Sequence, residues 1–125
     1  LTTLEFTMPI RVQSPNHKAH WQVTTARRKR ERAAVAGHCV VFGRAQIATL
    51  RAGLLLGKTA LVILTRIGAG ELDSDNLQAS LKSVRDQVAS ELGPDDADPR
   101  LEWVYQQEKC KRGRWAVRVR IEAKL

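Results

Sequence analysis

Residues 72–86 read LDSDNLQASLKSVRD, and this stretch holds the residues best suited to chemistry. Asp73 and Asp75 are two apart, and Lys82 and Asp86 follow at a spacing of four. In an extended segment, residues i and i+2 point to the same side, so both aspartates can face one hard cation. Mg²⁺ takes oxygen ligands and keeps several waters, so two or three carboxylates suffice. Such an ion makes water a better nucleophile at neutral pH and polarises a phosphoryl oxygen. Lys82 lies on the helix face that returns towards Asp75 and can steady a phosphate or a leaving oxygen. A plainer alternative stands beside this one. Asp75 caps a helix, Asp73 is a solvated loop residue, and Lys82 pairs with Asp86 one turn on.

These residues need a scaffold. Leu77, Leu81, Val84, Val88 and Leu92 recur at helical spacing, which predicts a helix over 76–92. Asp75 fits its N-cap, with Gln78 completing a capping-box pattern, and Gly93-Pro94 stops it. ALVILTRI (60–67) is nearly all apolar and reads as a central strand covered on both faces. Leu4 to Val12 alternate as a half-buried strand, and Pro9 places it at an edge. Thr24 or Thr25 caps a helix through about Ala36 that carries RRKRER (27–32). Glycines interrupt 37–58. There CVVF (39–42) is either a short strand or continuing helix, and RAQIATLRA (44–52) is helical. Two alternating strands, around 101–106 and 115–122, are joined by CKRGR as a hairpin, with Gly113 available for positive φ. The expected fold is α+β: a small mixed sheet, two main helices and a C-terminal β-hairpin in one domain, 1–125.

The charge is unevenly spread. The net charge is +8 and the pI about 10.2, which favours an anionic partner. Yet residues 71–102 hold nine acids against three bases, a net of −6 that leaves +14 on the rest. An acidic island in a basic molecule is what a metal-dependent nuclease needs, with bases for phosphates and carboxylates for cations. Arg27, Arg28, Lys29, Arg30 and Arg32 form one basic cluster; Lys109, Lys111, Arg112, Arg114, Arg118 and Arg120 form another. Together with Lys18 of the polar loop SPNHKAHW, Arg27, Arg28, Lys29, Arg30, Lys111, Arg112 and Arg114 are the expected DNA-binding residues. Trp21, after that loop, is read as a stacking residue or a core or dimer residue, and Trp103 and Trp115 as core or dimer residues.

Two cysteines make no disulfide framework and fit a reducing cytoplasm. His38 beside Cys39, with His17 and His20, has no CxxC or HxxxH spacing that would support zinc. No 18-residue apolar run or signal-peptide pattern is apparent, so no membrane partner is expected.

DSDNLQASLKSVRD, followed by the DD of GPDDADPR and a closing β-hairpin, resembles the RusA family of Holliday-junction resolvases. The resemblance covers roughly residues 60–125, and extends more loosely to the first strand, the SPNHKAHW loop and the basic helix. It implies a Mg²⁺-dependent homodimer of bacterial or phage origin that cuts branched, four-way DNA by paired nicks. By motif position it assigns Asp73, Asp75 and Asp96 as metal-binding catalytic aspartates, with Asp95 or Asp98 as substitutes for the third. The family lysine directly after DNLQ is replaced here by Ala79, and Lys82 stands in for it.

Helix length poses a problem for that assignment. A helix over 76–92 is about 25 Å long. Asp96, four residues beyond it, can return at most about 14 Å, which leaves it roughly 10 Å or more from Asp75. A shorter helix, a bend or a second subunit would resolve this, and a shared two-fold site is favoured because paired nicking needs two symmetric centres. The competing functions are a non-catalytic basic DNA-binding protein and, ranked lower for want of an RNP-type aromatic signature, an RNA-binding protein.

Overall fold

The computed structural model describes residues 2–13 and 21–124. Seven elements follow in order: β1 (Thr3–Met8), α1 (Trp21–Leu55), β2 (Thr59–Gly68), α2 (Ser74–Ser80), α3 (Lys82–Leu92), β3 (Leu101–Lys109) and β4 (Ala116–Lys124). The strands form one mixed sheet in the order β1-β4-β2-β3, with β2 and β3 parallel and the other pairs antiparallel. The architecture is therefore α+β, with three helices packed on one face of the sheet.

Strand alternation builds the core. Leu4, Phe6 and Met8 of β1, Ala60, Val62 and Leu64 of β2, and Val117, Val119 and Ile121 of β4 all point inward and are buried. The inward stripe of α3 and its approach is the one the periodicity predicts: Leu77, Leu81, Val84, Val88 and Leu92 are each at most 6% exposed. β1 is an edge strand and ends at Met8, just before Pro9, as a residue lacking an N–H donor requires.

Three expectations are corrected. First, residues 101–124 do not form a hairpin: β2 lies between β3 and β4. β2 is the most apolar strand and gains by taking two neighbours, while β3, whose Trp103 and Tyr105 are only partly buried, suits an edge. Second, β2 is central but covered by helices on one face only. On the other face Arg118 reaches across β2 to Glu108, and Lys124 to Glu102. These ion pairs lie over the strand between them, where Thr65 is only 2% exposed. Third, of the glycines in 37–58 only Gly57, at φ 84°, marks a helix end, just after Leu55, while Gly37 and Gly53 lie within helix. α1 bends sharply at Gly43, whose backbone leaves the helical region and where an added Cβ would lie 2.5 Å from Leu4. Its inward residues Val35, Cys39, Ile47, Leu50 and Leu54 are buried. By length and composition α1 could also span a bilayer, but this stripe belongs to the core.

Candidate active site

The expected single helix over 76–92 is broken at Leu81. The buried Ser80 hydroxyl donates to the carbonyl of Leu77 at 2.7 Å, occupying the acceptor that Leu81 N–H would otherwise use. Leu81 N–H donates to Gln78 instead, a tighter i→i−3 bond. Lys82 therefore starts a new helix, α3, rather than continuing α2.

The N-cap is also displaced by two residues. Asp73, not Asp75, caps α2. One Asp73 oxygen accepts from the Asn76 backbone N–H at 2.9 Å and the other from the Asn76 side-chain amide at 3.0 Å. The two aspartates thus straddle a helix start instead of lining an extended segment, and the same-side argument for them does not apply. Asp75 lies in the first turn, where a negative charge is favoured by the helix dipole, and its exposed carboxylate makes no ion pair among the described residues. Gln107 anchors the approach to this start. It accepts from Leu72 N–H at 3.0 Å and donates to Leu72 O at 2.7 Å, tying the loop to β3.

Asp96 sits in a different environment. Its Oδ2 accepts from Lys82 Nζ at 3.1 Å and from Arg85 Nε at 2.8 Å. Its carbonyl accepts from Arg85 Nη2 and from the Trp103 indole N–H. Arg85 further donates to the Tyr105 hydroxyl at 2.8 Å and lies 4.7 Å over the Trp103 ring. Lys82 also pairs with Asp86 at 2.8 Å, the expected one-turn contact. The hydrogen bond from Lys82, and less strongly that from Arg85, holds the Asp96 carboxyl below its ordinary range despite partial burial. Asp86, then Asp96, raises Lys82 in turn.

The structure therefore brings together two of the four expected catalytic residues, Lys82 and Asp96. It groups no three His, Cys, Asp or Glu side chains as a metal site among the described residues, so one chain does not assemble Asp73, Asp75 and Asp96. The two substitutes are spoken for as well. Asp98 is clamped by Arg100, which lowers it to about 2, and Asp95 turns back to the N–H of Ala97. Arg85 was not among the expected site residues. The available signal was that it is one of only three bases in the acidic island.

The basic clusters are thinner than their sequences. Arg28, Lys29 and Arg30 are exposed on α1, but Arg27 turns in to Gln13 and Glu31. Glu31 is 5% exposed, and burial raises its carboxyl even against the opposing pull of Arg27. Arg118 and Arg120 pair with Glu108, Glu5 and Glu122, while Lys111, Arg112 and Arg114 remain exposed in the β3–β4 connection. Trp115 is 41% exposed and is not a core residue. Lys18, His17 and His20 lie outside the described residues, as does the Trp21 side chain. Cys39 is buried, and its thiol is pushed up to about 12 by burial and Glu91, which leaves it a poor metal ligand or nucleophile. No protein-family model matches the chain, and no curated protein matches it.

Proposed function

We propose that this chain is a metal-dependent, structure-selective DNA endonuclease of the RusA type, acting on four-way junctions as a homodimer. One observation carries the reading. The exposed carboxylates that open α2 are tied through Leu72 and Gln107 to the end of the sheet from which Lys111, Arg112 and Arg114 project. Carboxylates for a cation and bases for phosphates thus share one end of the molecule.

Asp73 and Asp75 offer the hard oxygen donors that suit Mg²⁺. Bound there, the ion supplies the Lewis acidity that phosphodiester hydrolysis needs. Asp96 is the candidate third donor, contributed by a second subunit. Both of its cations use Oδ2, so Oδ1 has no partner among the described residues. Lys82 and Arg85 hold that carboxylate ionised and fixed in direction. The exposed bases bind phosphates without reading sequence, so affinity should fall steeply with salt. A flat salt response would remove the phosphate-binding surface from the proposal.

The non-catalytic DNA-binding reading also has an observation in its favour, because Asp73 is fully explained as a helix cap. Cleavage of a labelled four-way junction separates the two readings. Nicking with Mg²⁺ that is lost in EDTA and in Asp75→Asn supports the nuclease; binding without nicking supports the alternative. Mixing Asp73→Asn with Asp96→Asn chains tests the shared site. Mixed dimers should regain one intact centre, and mixtures with no cleavage would exclude sharing.

A further inference from the structure

Because β3 and β4 are not neighbours, the connection between them must pass over the end of β2. It does so in a turn closed by Arg114 N–H donating to Lys111 O, with Gly113 at φ 86°. Beside this turn lies a cavity of about 300 Å³, whose polar lining is dominated by Arg11, Arg66 and Arg112, with Trp115 as its aromatic wall. No carboxylate lines it, and none of the three arginines makes an ion pair among the described residues. By contrast Arg85, Arg100, Arg118 and Arg120 are all paired.

Two of the three arginines have contacts that orient them. Arg66 donates from Nη1 to Gly70 O at 2.7 Å, and its guanidinium lies over Gly68, where an added Cβ would be 2.8 Å from Nη2. Arg11 stacks 4.9 Å from the centre of the Trp115 ring, and Trp115 is still 41% exposed. Three uncompensated guanidiniums call for a multivalent anion, which they match in planar, forked geometry. The tryptophan calls for a flat π-surface next to that anion. A phosphate joined to a nucleobase has both parts.

We propose that this cavity holds one nucleotide of a DNA strand, its phosphate on Arg66 and Arg112 and its unstacked base on Trp115 beside Arg11. Bases inside a duplex are stacked on one another and cannot reach the ring, so the cavity favours branch points and single strands over intact duplex. This inference rests on the nucleic-acid reading above and names the part of the substrate that the end of the sheet recognises. Gly70 in the wall is three residues before Asp73, so the cavity lies close to the start of α2.

The test uses the full chain with a labelled short oligothymidylate, a labelled blunt duplex, and free dTMP as competitor. Trp115→Ala should weaken oligothymidylate binding roughly five- to hundred-fold, the range expected for loss of one stacked base, and Arg66→Ala, which loses a charge-assisted phosphate contact, by about tenfold or more. Trp115→Phe should stay within about threefold of wild type because it keeps an aromatic face. Duplex affinity should change less than about twofold in all three, since phosphate tracking is spread over many bases. Wild-type affinity for oligothymidylate in both alanine variants would overturn the proposal, as would an equal loss for duplex. Displacement by dTMP as efficiently as by the strand would overturn it in favour of a free-nucleotide site. Should Trp115→Ala lose its folded circular-dichroism signal, Arg66→Ala decides. Junction cleavage is followed in parallel. A chain that binds oligothymidylate through Trp115 but never nicks rejects the nuclease and keeps the cavity; one that nicks with undiminished binding in the variants does the reverse.

Discussion

The start of α2 and the neighbourhood of Asp96 are both acidic in sequence, but they present opposite kinds of carboxylate. Asp73 is satisfied by neutral donors from Asn76, and Asp75 is exposed with no ion pair among the described residues, so neither is neutralised by a cation. Asp96 is already bound by Lys82 and Arg85, with Trp103 fixing its backbone. An added cation competes with nothing of like charge at the first region and with two resident cations at the second. The difference separates carboxylates with no resident cation from one that already organises protein, and a count of acids along the chain does not reveal it.

The largest expected effect separates the two regions by activity. Asp75→Asn should cut junction nicking by roughly a hundred-fold or more while leaving junction binding and thermal stability near wild type. Unchanged nicking would remove Asp75 from the proposed metal site. Stability should respond in the other direction. Asp96→Ala leaves Lys82 and Arg85 without their shared acceptor and should cost about 2 kcal/mol in denaturant unfolding, against less than about 0.5 kcal/mol for Asp75→Ala. Equal costs would erase the distinction.

Acid titration sharpens it further. Asp96 and Asp98 are both lowered on folding, so the stability they contribute is complete above their ordinary value of 3.8 and is lost as pH falls through their folded values, about 2 for Asp98. Unfolding midpoints should therefore drop below about pH 4, and Asp96→Asn should flatten that drop; an unchanged drop would assign it to other groups. The smallest effect concerns Glu31. Burial raises it, so the folded form binds its proton more tightly than the unfolded chain. Stability should then decline as pH rises from 4.5 through its folded value. Glu31→Gln should remove that slope and change neutral stability by less than about 1 kcal/mol. A slope that survives the substitution would assign it to another group.

Much of the scaffold was legible. The stripe from Leu77 to Leu92, the edge placement of β1, the stop at Gly93 and the Lys82–Asp86 pair all follow from spacing, because each depends on neighbours within a turn or two of helix or strand. The misreadings share a cause. The break at Leu81 depends on which donor wins the Leu77 carbonyl, the cap on which aspartate reaches Asn76, and the kink of α1 on Gly43 meeting Leu4. Periodicity records which face a residue takes, and it is silent on such competitions.

By itself the sequence determined the inventory: an acidic island in a basic chain, the DxD before an amphipathic helix, and an α+β order of strands and helices. These are properties of composition and local period. The tertiary structure alone decided which charges are left to act. By inserting β2 between β3 and β4 it set Arg118 and Lys124 against Glu108 and Glu102, and it carried the β3–β4 connection over the end of β2. There Arg66 and Arg112, 46 residues apart in the chain, meet Trp115 in one cavity. Strand order is fixed by which surfaces bury best together, a comparison between distant segments that no local pattern encodes.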